Sequence, residues 1–209
     1  MKDRCVIIGA APVDDYSTAP AILPEDLVLC ADGGLRHCIA LEIQPDLVIG
    51  DFDSLEDRSL LAGYPCLELP VEKDDTDTMF AVKYGIDRGY RDFLIYGGIG
   101  GRLDHTFANL SSLLYIAQRG GKGLLTDGRL SMTVITGGTF PLDGCKGRRL
   151  SLFPFGCEKC IVSETGVHYP LERGELNASF PLGVSNYVEE ENGAITLYEG
   201  ALLIILEKI

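Results

Sequence analysis

The chain has 209 residues, of which 46% are hydrophobic and 23% are charged, and its net charge at pH 7 is −13. These proportions are typical of a globular protein and exclude an intrinsically disordered one, and the length suits one or two domains. The strong negative charge argues against a nucleic-acid-binding protein, because phosphate backbones require a basic face. An anionic ligand would therefore need a positive group, most simply a divalent cation, to screen its approach.

Five short apolar runs in the first half of the chain predict strands that are buried on both faces of a parallel sheet. They span residues 5–8, 27–30, 47–49, 66–69 and 93–96. Residues 77–88 and 104–119 carry apolar side chains at helical spacing and predict two helices. Thr76 or Asp75 would cap the first helix, and Gly89 would end it. Alternating strands and helices indicate an α/β layer fold.

The pattern changes after about residue 127, where short strand-like stretches follow one another without a convincing helix. They span residues 132–135, 149–153, 161–163, 176–180, 194–198 and 202–206. Gly, Pro and Asn turn signals separate them, which is typical of an antiparallel β-sandwich or barrel. We therefore predict an α/β domain with a mostly parallel, Rossmann-like sheet over residues 1–127 and an antiparallel β-sandwich over residues 128–209.

Membrane insertion and export are not expected. The longest apolar run, residues 201–206, is far shorter than the about 20 residues that a membrane helix requires. The N-terminal apolar run breaks at Pro12, which argues against a signal peptide. Seven cysteines without an export signal predict free thiols in a cytoplasmic location. Cys157 and Cys160 lack a second pair of ligands, which argues against a zinc site.

Acidic side chains follow the predicted strands. If the strands are parallel, their carboxyl ends share one edge of the sheet, where open α/β sheets bind ligands. The acids expected there are Asp32, Asp51, Asp53, Asp74, Asp75, Asp77 and Asp104. Each alone is more often a solvated turn residue or a helix cap. Two carboxylates about 4 Å apart repel by about 4 kcal/mol at an effective dielectric constant of about 20, so a cluster predicts a neutralising cation such as Mg²⁺.

Asp51 and Asp53 are the sharpest pair among these acids. Residues two apart in an extended segment point the same way, so both carboxylates can face one ion, while Gly50 leaves room for a phosphate. The alternative interpretation is a plain turn between a strand and a helix. Lys73 either contacts phosphate or balances the charge of Asp74.

A glycine-rich segment, residues 97–101, follows the fifth predicted strand and opens the second predicted helix. In that setting backbone N–H groups and a helix N-terminus bind phosphate. The segment lacks the Gly-Lys-Ser/Thr ending of a Walker A loop and the spacing of the dinucleotide motif. Arg102 can bind phosphate oxygens with two N–H groups. Asp104 either caps the helix or contacts a metal or a sugar hydroxyl, and His105 is more often a packed residue than a catalyst.

In their order and spacing, these segments resemble the thiamine pyrophosphokinase family. The matching segments are residues 32–34, 50–54, 73–77 and 97–105 with Asn109, followed by residues 166–171 and 183–186. The resemblance implies an α/β domain that binds ATP and Mg²⁺ and a β-sandwich domain that binds thiamine. It also implies a homodimer whose active sites lie between the α/β domain of one subunit and the β domain of the other.

The resemblance also implies roles for individual residues. Catalytic roles fall to Asp51, Asp53, Asp77 and Arg102, and the three aspartates hold Mg²⁺. The nucleotide side consists of Asp32, Gly33, Lys73, Asp74, Thr76, Gly100, Gly101, Arg102, Asp104, His105 and Asn109. The thiamine side consists of Ser185 and Asn186. Some relatives stack a tryptophan on thiamine, but this chain has none, so the choice among Phe155, Tyr169 and Tyr187 stays open.

The implied reaction is an in-line attack of the thiamine hydroxyl on the β-phosphorus of ATP, giving thiamine diphosphate and AMP. Catalysis would come from positioning and charge neutralisation, with no covalent enzyme intermediate. Asp77 is the candidate acceptor of the hydroxyl proton. Two alternatives remain: a phosphohydrolase with Asp51 as its nucleophile, which leaves residues 97–105 unexplained, and a nucleotide-binding regulator without turnover.

Overall fold

The computed structural model describes residues 4–52, 58–72 and 74–209, and within these ranges the first strands form a parallel sheet. The strands are β1 (Arg4–Ile8), β2 (Leu27–Ala31), β3 (Leu47–Gly50), β4 (Cys66–Glu68), β5 (Asp92–Tyr96) and β6 (Lys122–Thr126). They lie in the order β6-β5-β1-β2-β3-β4, and every neighbouring pair is parallel. The five predicted strands of this half are confirmed.

Strand β6 was not predicted because Gly123 interrupts its short apolar run, and a glycine inside a strand argues against a strand. The structure shows why a glycine is needed there. A Cβ atom on Gly123 would lie 2.8 Å from the Leu113 side chain and 3.1 Å from that of Ile116. Both residues belong to the helix that packs over this strand, so the missing side chain allows the two elements to approach closely.

Helices cover both faces of the parallel strands. They are α1 (Leu35–Ala40), α2 (Asp77–Asp87) and α3 (Leu103–Ala117). Along β1, Cys5 and Ile7 pack with α2 and α3, whereas Val6 and Ile8 pack with α1. The alternation follows from the two-residue period of a strand and explains why nearly every residue of these strands is apolar.

The predicted helices α2 and α3 are confirmed, and α2 begins as the sequence predicts. The Thr76 side chain accepts a hydrogen bond of 3.1 Å from the Met79 N–H, so Thr76 is the N-cap. Gly89, just after the helix, has a φ of 88°, a conformation that glycine adopts readily. Helix α1 was missed because six residues are too few for a helical period to show.

The second half of the chain forms two antiparallel layers, so the predicted fold class is confirmed. One layer contains β7 (Leu130–Ile135), β9 (Arg149–Pro154), β12 (Asn186–Tyr187) and β14 (Leu202–Glu207). The other contains β8 (Gly138–Pro141), β10 (Lys159–Thr165), β11 (Gly174–Asn177) and β13 (Ala194–Glu199). Residues 128–209, all of which are described, contain no helix. A separate apolar core, which includes Leu150, Val162 and Ile204, lies between the layers.

The first of these layers continues the parallel sheet. Strand β7 pairs antiparallel with β6, so the ten strands form one sheet in the order β12-β9-β14-β7-β6-β5-β1-β2-β3-β4. The second sheet has the order β11-β10-β13-β8. The predicted boundary at residues 127–128 stays a prediction; it falls in the turn between β6 and β7, where Gly128 has a φ of 92°.

The remaining sequence expectations concern the thiols and membrane helices. The seven cysteines, all among the described residues, are free thiols as predicted. In the described part of the chain, every helix is too short or too polar to cross a bilayer.

A buried carboxyl–amide pair joins the two antiparallel layers. Glu164 on β10 is 2% exposed, and its Oε2 accepts a hydrogen bond of 3.1 Å from Nδ2 of Asn186 on β12. Burial raises the pKa of Glu164 from 4.5 to about 7, because a charge in this core loses its hydration.

The folding stability should therefore fall as the pH rises through this range. The folded protein holds the proton more tightly than the unfolded chain, so stability from the protonated form is complete below about pH 4.5 and is lost as pH passes 7. In the wild type, the free energy of unfolding should fall by roughly 3 kcal/mol between pH 5 and pH 8 because of Glu164. We expect Glu164→Gln to lack this decrease when unfolding by urea is measured at both pH values. The exposed Glu190→Gln is the matched control. Parallel stability curves for the wild type and Glu164→Gln would contradict the prediction.

Candidate active site

Loops at the carboxyl edge of the parallel strands surround a cavity of about 480 Å³. Its lining comes from the segment after β1, the end of β2, the segment that enters α2, and the segment between β5 and α3. The predicted site residues that line it are Asp32, Thr76, Asp77, Gly100, Gly101, Arg102, His105 and Asn109. The parallel sheet thus brings together residues that are up to 77 positions apart in the chain, as its topology predicts.

The other predicted site residues do not line this cavity. Gly33, Asp74 and Asp104 are each adjacent in the chain to a lining residue. Asp51 is distant in sequence from every lining residue, but it follows Gly50, which packs against Asp32. Asp53 and Lys73 lie outside the described residues. Ser185 and Asn186 belong to the β-sandwich, and among the described residues that line the cavity none comes from residues 128–209.

The sequence reasoning missed one wall of the cavity, residues 10–12. These residues follow strand β1 directly, so the rule that placed the other loops at the carboxyl edge applies to them as well. They escaped notice because Ala10, Ala11 and Pro12 carry no chemically reactive group. Only their position directly after a strand indicated that they belong to the site.

The 10–12 wall and the glycine-rich segment are joined by backbone hydrogen bonds. The Gly9 N–H donates to the Tyr96 carbonyl at 2.7 Å, and the Ala11 N–H donates to the Gly97 carbonyl at 2.8 Å. A Cβ on Gly9 would lie 2.6 Å from the Gly97 oxygen, so only glycine permits this approach. The two walls are therefore joined where they leave strands β1 and β5.

Gly50 packs against Asp32. A Cβ on Gly50 would lie 3.0 Å from both Cα and Cβ of Asp32. The space beside this glycine is thus filled by the aspartate rather than left for a phosphate, which differs from the sequence interpretation. The contact brings the β3 end, and with it the chain just before Asp51, against a residue that lines the cavity.

The acids at the start of α2 have different partners. Both carboxylate oxygens of Asp75 accept hydrogen bonds from Lys83 Nζ, at 2.7 and 2.8 Å. The hydrogen bonds to Asp75 raise the pKa of Lys83 and keep it charged. Asp77 lies one residue past the Thr76 cap, in the first turn of the helix, and lines the cavity. A carboxylate in a first turn is favoured by the helix dipole.

Arg102 and Asp104 form an exposed ion pair at the entrance to α3. Their side chains are 69% and 64% exposed, and Arg102 Nη2 donates to Asp104 Oδ2 at 2.6 Å. The arginine lowers the pKa of Asp104, which also accepts a hydrogen bond of 3.0 Å from the His105 N–H. Asp104 is not the N-cap, because that position belongs to Arg102. Exposed pairs of this kind contribute little to stability and leave the guanidinium available to an anion.

Asn109 supports the glycine-rich segment from α3. Its side chain is 6% exposed, and Nδ2 donates a hydrogen bond of 2.8 Å to the Gly98 carbonyl. Gly100 and Gly101 have φ values of 89° and 65°, which favour glycine at both positions. The segment thus turns towards the cavity immediately before the N-terminus of a 15-residue helix. That arrangement suits a phosphate-bearing ligand.

The fold and the cavity together define a protein that joins an α/β layer structure to a β-sandwich and has a cavity at the carboxyl edge of its parallel strands. Two family models match the chain: the thiamin pyrophosphokinase catalytic domain over residues 21–123 and the thiamin pyrophosphokinase vitamin B1 binding domain over residues 139–202. The chain belongs to the thiamin pyrophosphokinase family.

Individual relatives agree with this membership. Thiamine pyrophosphokinase of Bacillus subtilis (strain 168) is 27% identical over 179 residues, which cover 83% of this chain and 84% of the relative. The crystal structure of thiamine pyrophosphokinase from Bacillus subtilis has a TM-score of 0.87 at 23% identity, covering 99% of both chains. The thiamin pyrophosphokinase structure from Geobacillus thermodenitrificans has a TM-score of 0.86 at 25% identity, covering 99% of this chain and 98% of the other.

Proposed function

We propose that the chain transfers the pyrophosphoryl group of ATP to the hydroxyl of thiamine, giving thiamine diphosphate and AMP. The observation that carries the proposal is the cavity in which the glycine-rich segment, Arg102 and Asp77 meet. The family model assigned to this half of the chain is the catalytic domain, and the model assigned to the second half is the vitamin B1 binding domain. The proposal therefore places ATP in this cavity.

The triphosphate would lie against the glycine-rich segment. Gly100 and Gly101 leave the backbone open to an anion, and the α3 N-terminus adds a favourable dipole. Arg102 would bind phosphate oxygens, exchanging its surface contact with Asp104 for a charged ligand. Asp32 and Asp77 line the same cavity, so a bound triphosphate would require a cation between itself and these carboxylates.

The donor chemistry of the cavity fits Mg²⁺. Within the described ranges no group of three or more His, Cys, Asp or Glu side chains is placed to hold a metal ion alone. Mg²⁺ is commonly held by one or two carboxylates together with substrate phosphates, and the carboxylates of Asp32 and Asp77 in the cavity lining are donors of that kind. We propose Asp77, Asp51 and Asp53 as its protein ligands, with Asp32 beside them. When bound, the cation would neutralise phosphate charge and orient the transferred group.

In the proposed reaction, the thiamine oxygen forms a bond to the β-phosphorus while the bond from that phosphorus to the α–β bridging oxygen breaks. The bridging oxygen leaves on AMP, and the thiamine hydroxyl loses its proton to a carboxylate, for which Asp77 is the candidate. Arg102 stabilises the negative charge that develops on the transferred group. Rate acceleration would come from alignment and electrostatics, without a covalent enzyme intermediate.

Thiamine would bind to the β-sandwich of a second subunit. The cavity is lined only by residues of the α/β half among those described, which supports a homodimer with a shared site. Tyr169 is 65% exposed and Tyr187 is 38% exposed, whereas Phe155 packs against the apolar core that includes Ile7 of β1. Tyr169 is therefore the best-supported stacking residue. We propose Ser185 as a direct thiamine contact. A cytoplasmic location stays a prediction.

Asn186, predicted to bind thiamine, has its amide fully engaged within the sandwich. Besides its bond to Glu164, its Nδ2 donates to the Tyr169 carbonyl at 3.0 Å. Its Oδ1 accepts from the N–H groups of Tyr169 and Tyr187 at 3.0 and 2.9 Å. The amide thus holds both tyrosines in place, and we propose that it shapes the thiamine site through them.

Product analysis tests the proposed function directly. The purified chain is incubated with ATP, Mg²⁺ and thiamine, and the products are separated by chromatography. We expect AMP and thiamine diphosphate in equal amounts, with neither formed when thiamine is omitted. Phosphate release without thiamine would instead favour a phosphohydrolase, and ATP binding without any turnover would favour a regulator.

Arg102→Ala should weaken the use of ATP more than the use of thiamine. The variant loses the whole guanidinium, including the two N–H groups of a bidentate phosphate contact and one positive charge, so we expect the KM for ATP to rise by about 10- to 100-fold. The KM for thiamine should stay within about twofold, because the cavity that contains Arg102 is the proposed nucleotide site. Arg129→Ala, another exposed arginine with an acidic partner, is the matched control. A larger change for thiamine than for ATP would contradict the assignment.

A further inference from the structure

A buried histidine lies behind the 10–12 wall of the cavity. His37 is part of α1, is 2% exposed, and is not among the lining residues. Its Nε2 is 2.8 Å from the Ala11 carbonyl oxygen, and its Nδ1 is 2.7 Å from the Tyr16 hydroxyl. The rings of His37 and Tyr16 meet edge to face, with centroids 5.7 Å apart. Both nitrogens of this imidazole are therefore used.

The partners determine which nitrogen carries the proton. The Ala11 carbonyl can only accept, so Nε2 must donate, and in the neutral ring Nδ1 then accepts from the Tyr16 hydroxyl. Burial lowers the pKa of His37; the hydrogen bond to the Ala11 carbonyl opposes this effect and the neighbouring Arg36 adds to it, so the net shift favours the neutral ring. The tautomer is thus set by the wall that the ring supports.

Consecutive side chains of α1 hold consecutive carbonyls of the wall. Arg36 donates to the Ala10 carbonyl, and His37 donates to the Ala11 carbonyl. On its inner side, the wall is joined to the glycine-rich segment by the Ala11 N–H to Gly97 hydrogen bond. The ring also abuts that segment, because a Cβ on Gly97 would lie 3.3 Å from His37 Cδ2. His37 therefore adjoins both of these segments, which line the cavity that is proposed to hold the nucleotide.

We propose that His37 is a positioning residue for the nucleotide: it sets the spacing between the 10–12 wall and the glycine-rich segment without touching the ligand. The inference rests on the proposed function only in taking ATP as the occupant of the cavity. Tyr16 assists by holding the ring in the orientation in which Nε2 faces Ala11. Loss of the ring leaves a buried carbonyl without its donor and frees the wall to move.

Equilibrium binding of ATP with Mg²⁺, measured by calorimetry, tests this role. We expect His37→Ala to raise the dissociation constant for ATP about tenfold, because a buried hydrogen bond and the packing around it are lost. His37→Gln can still donate an amide N–H to the Ala11 carbonyl and should restore affinity to within about threefold of the wild type. Tyr16→Phe, which removes only the hydroxyl, should raise the constant about threefold. In steady-state assays, kcat at saturating ATP and the KM for thiamine should stay close to wild-type values.

A stability-matched control separates positioning from general destabilisation. Val188→Ala removes two methyl groups from the sandwich core, none of whose residues lines the cavity, and should leave ATP affinity unchanged. If His37→Ala binds ATP like the wild type, or if His37→Gln loses as much affinity as His37→Ala, the inference is overturned. An equal loss in Val188→Ala would also overturn it. A wild-type chain that fails to bind ATP would overturn the proposed function, which is a distinct result.

Discussion

Asp77→Asn is expected to lower kcat by at least about a thousandfold while the protein stays folded, because a carboxylate is lost where negative phosphates and a cation must meet. Asp77 lines the cavity from the first turn of α2, directly after the Thr76 cap. Asparagine has the same shape and retains a polar head, so the helix start should persist. Steady-state assays with ATP and thiamine measure the loss, and urea unfolding verifies the fold.

Two nearby aspartates provide matched controls for Asp77. Asp87 ends the same helix, away from the cavity, and Asp87→Asn should leave kcat unchanged. Asp75→Asn should have a smaller effect than Asp77→Asn, because Lys83 already neutralises the Asp75 carboxylate. Wild-type turnover in Asp77→Asn would remove this residue from both of its proposed roles. A rise in the Mg²⁺ concentration needed for half-maximal activity would separate cation binding from proton acceptance.

Gly34→Ala is expected to destabilise the fold by at least about 3 kcal/mol, because it forces a side chain into the backbone of the neighbouring strand. A Cβ at this position would lie 2.2 Å from the Ile8 carbonyl oxygen and 3.0 Å from that of Gly9. Gly34 has an ordinary φ of −60°, so the penalty is steric rather than conformational. The steric clash of the alanine side chain could be relieved only if β1 and the Asp32–Gly34 turn moved apart, and this movement would also open the cavity.

The adjacent Gly33→Ala is the control for Gly34→Ala. Its Cβ would meet only the Ala10 Cβ atom, at 3.3 Å, so a shift of a few tenths of an ångström accommodates it. We expect a loss of less than about 1 kcal/mol for this variant. Thermal and urea unfolding measure the stabilities of both glycine variants. Similar stabilities of the two variants would show that the close approach of Gly34 to β1 is not needed for folding.

Most strands and the two long helices were predicted correctly because their signals are local, whereas β6, β8, β12 and α1 were not predicted. A run of apolar residues such as 93–96 identifies a strand buried on both faces, and Thr76 and Gly89 delimit α2 by their own conformational preferences. The misses have equally physical causes. Strand β6 contains a glycine that serves α3 packing, and α1 is shorter than two helical turns. Neither property is visible in a short stretch of sequence.

The site was predictable to the extent that topology determines it. Once the strands are parallel, their carboxyl ends share one edge, so Asp32, Asp77 and Arg102 were expected together, and all three line the cavity. The partners of individual side chains were not predictable. Contacts between separate segments decide these partners. Asp75 pairs with Lys83, and Gly50 packs on Asp32. The side-chain amide of Asn186 is fully hydrogen-bonded within the sandwich.

The amino-acid sequence by itself determined the order of strands and helices, the fold class and the segments that carry the family resemblance. Only the tertiary structure decided that one layer of the sandwich extends the parallel sheet, and that His37 supports the 10–12 wall. The reason is the range of the interactions involved. Periodicity, capping and turn preference act over a few neighbouring residues, whereas strand pairing and cavity shape depend on packing between residues far apart along the chain.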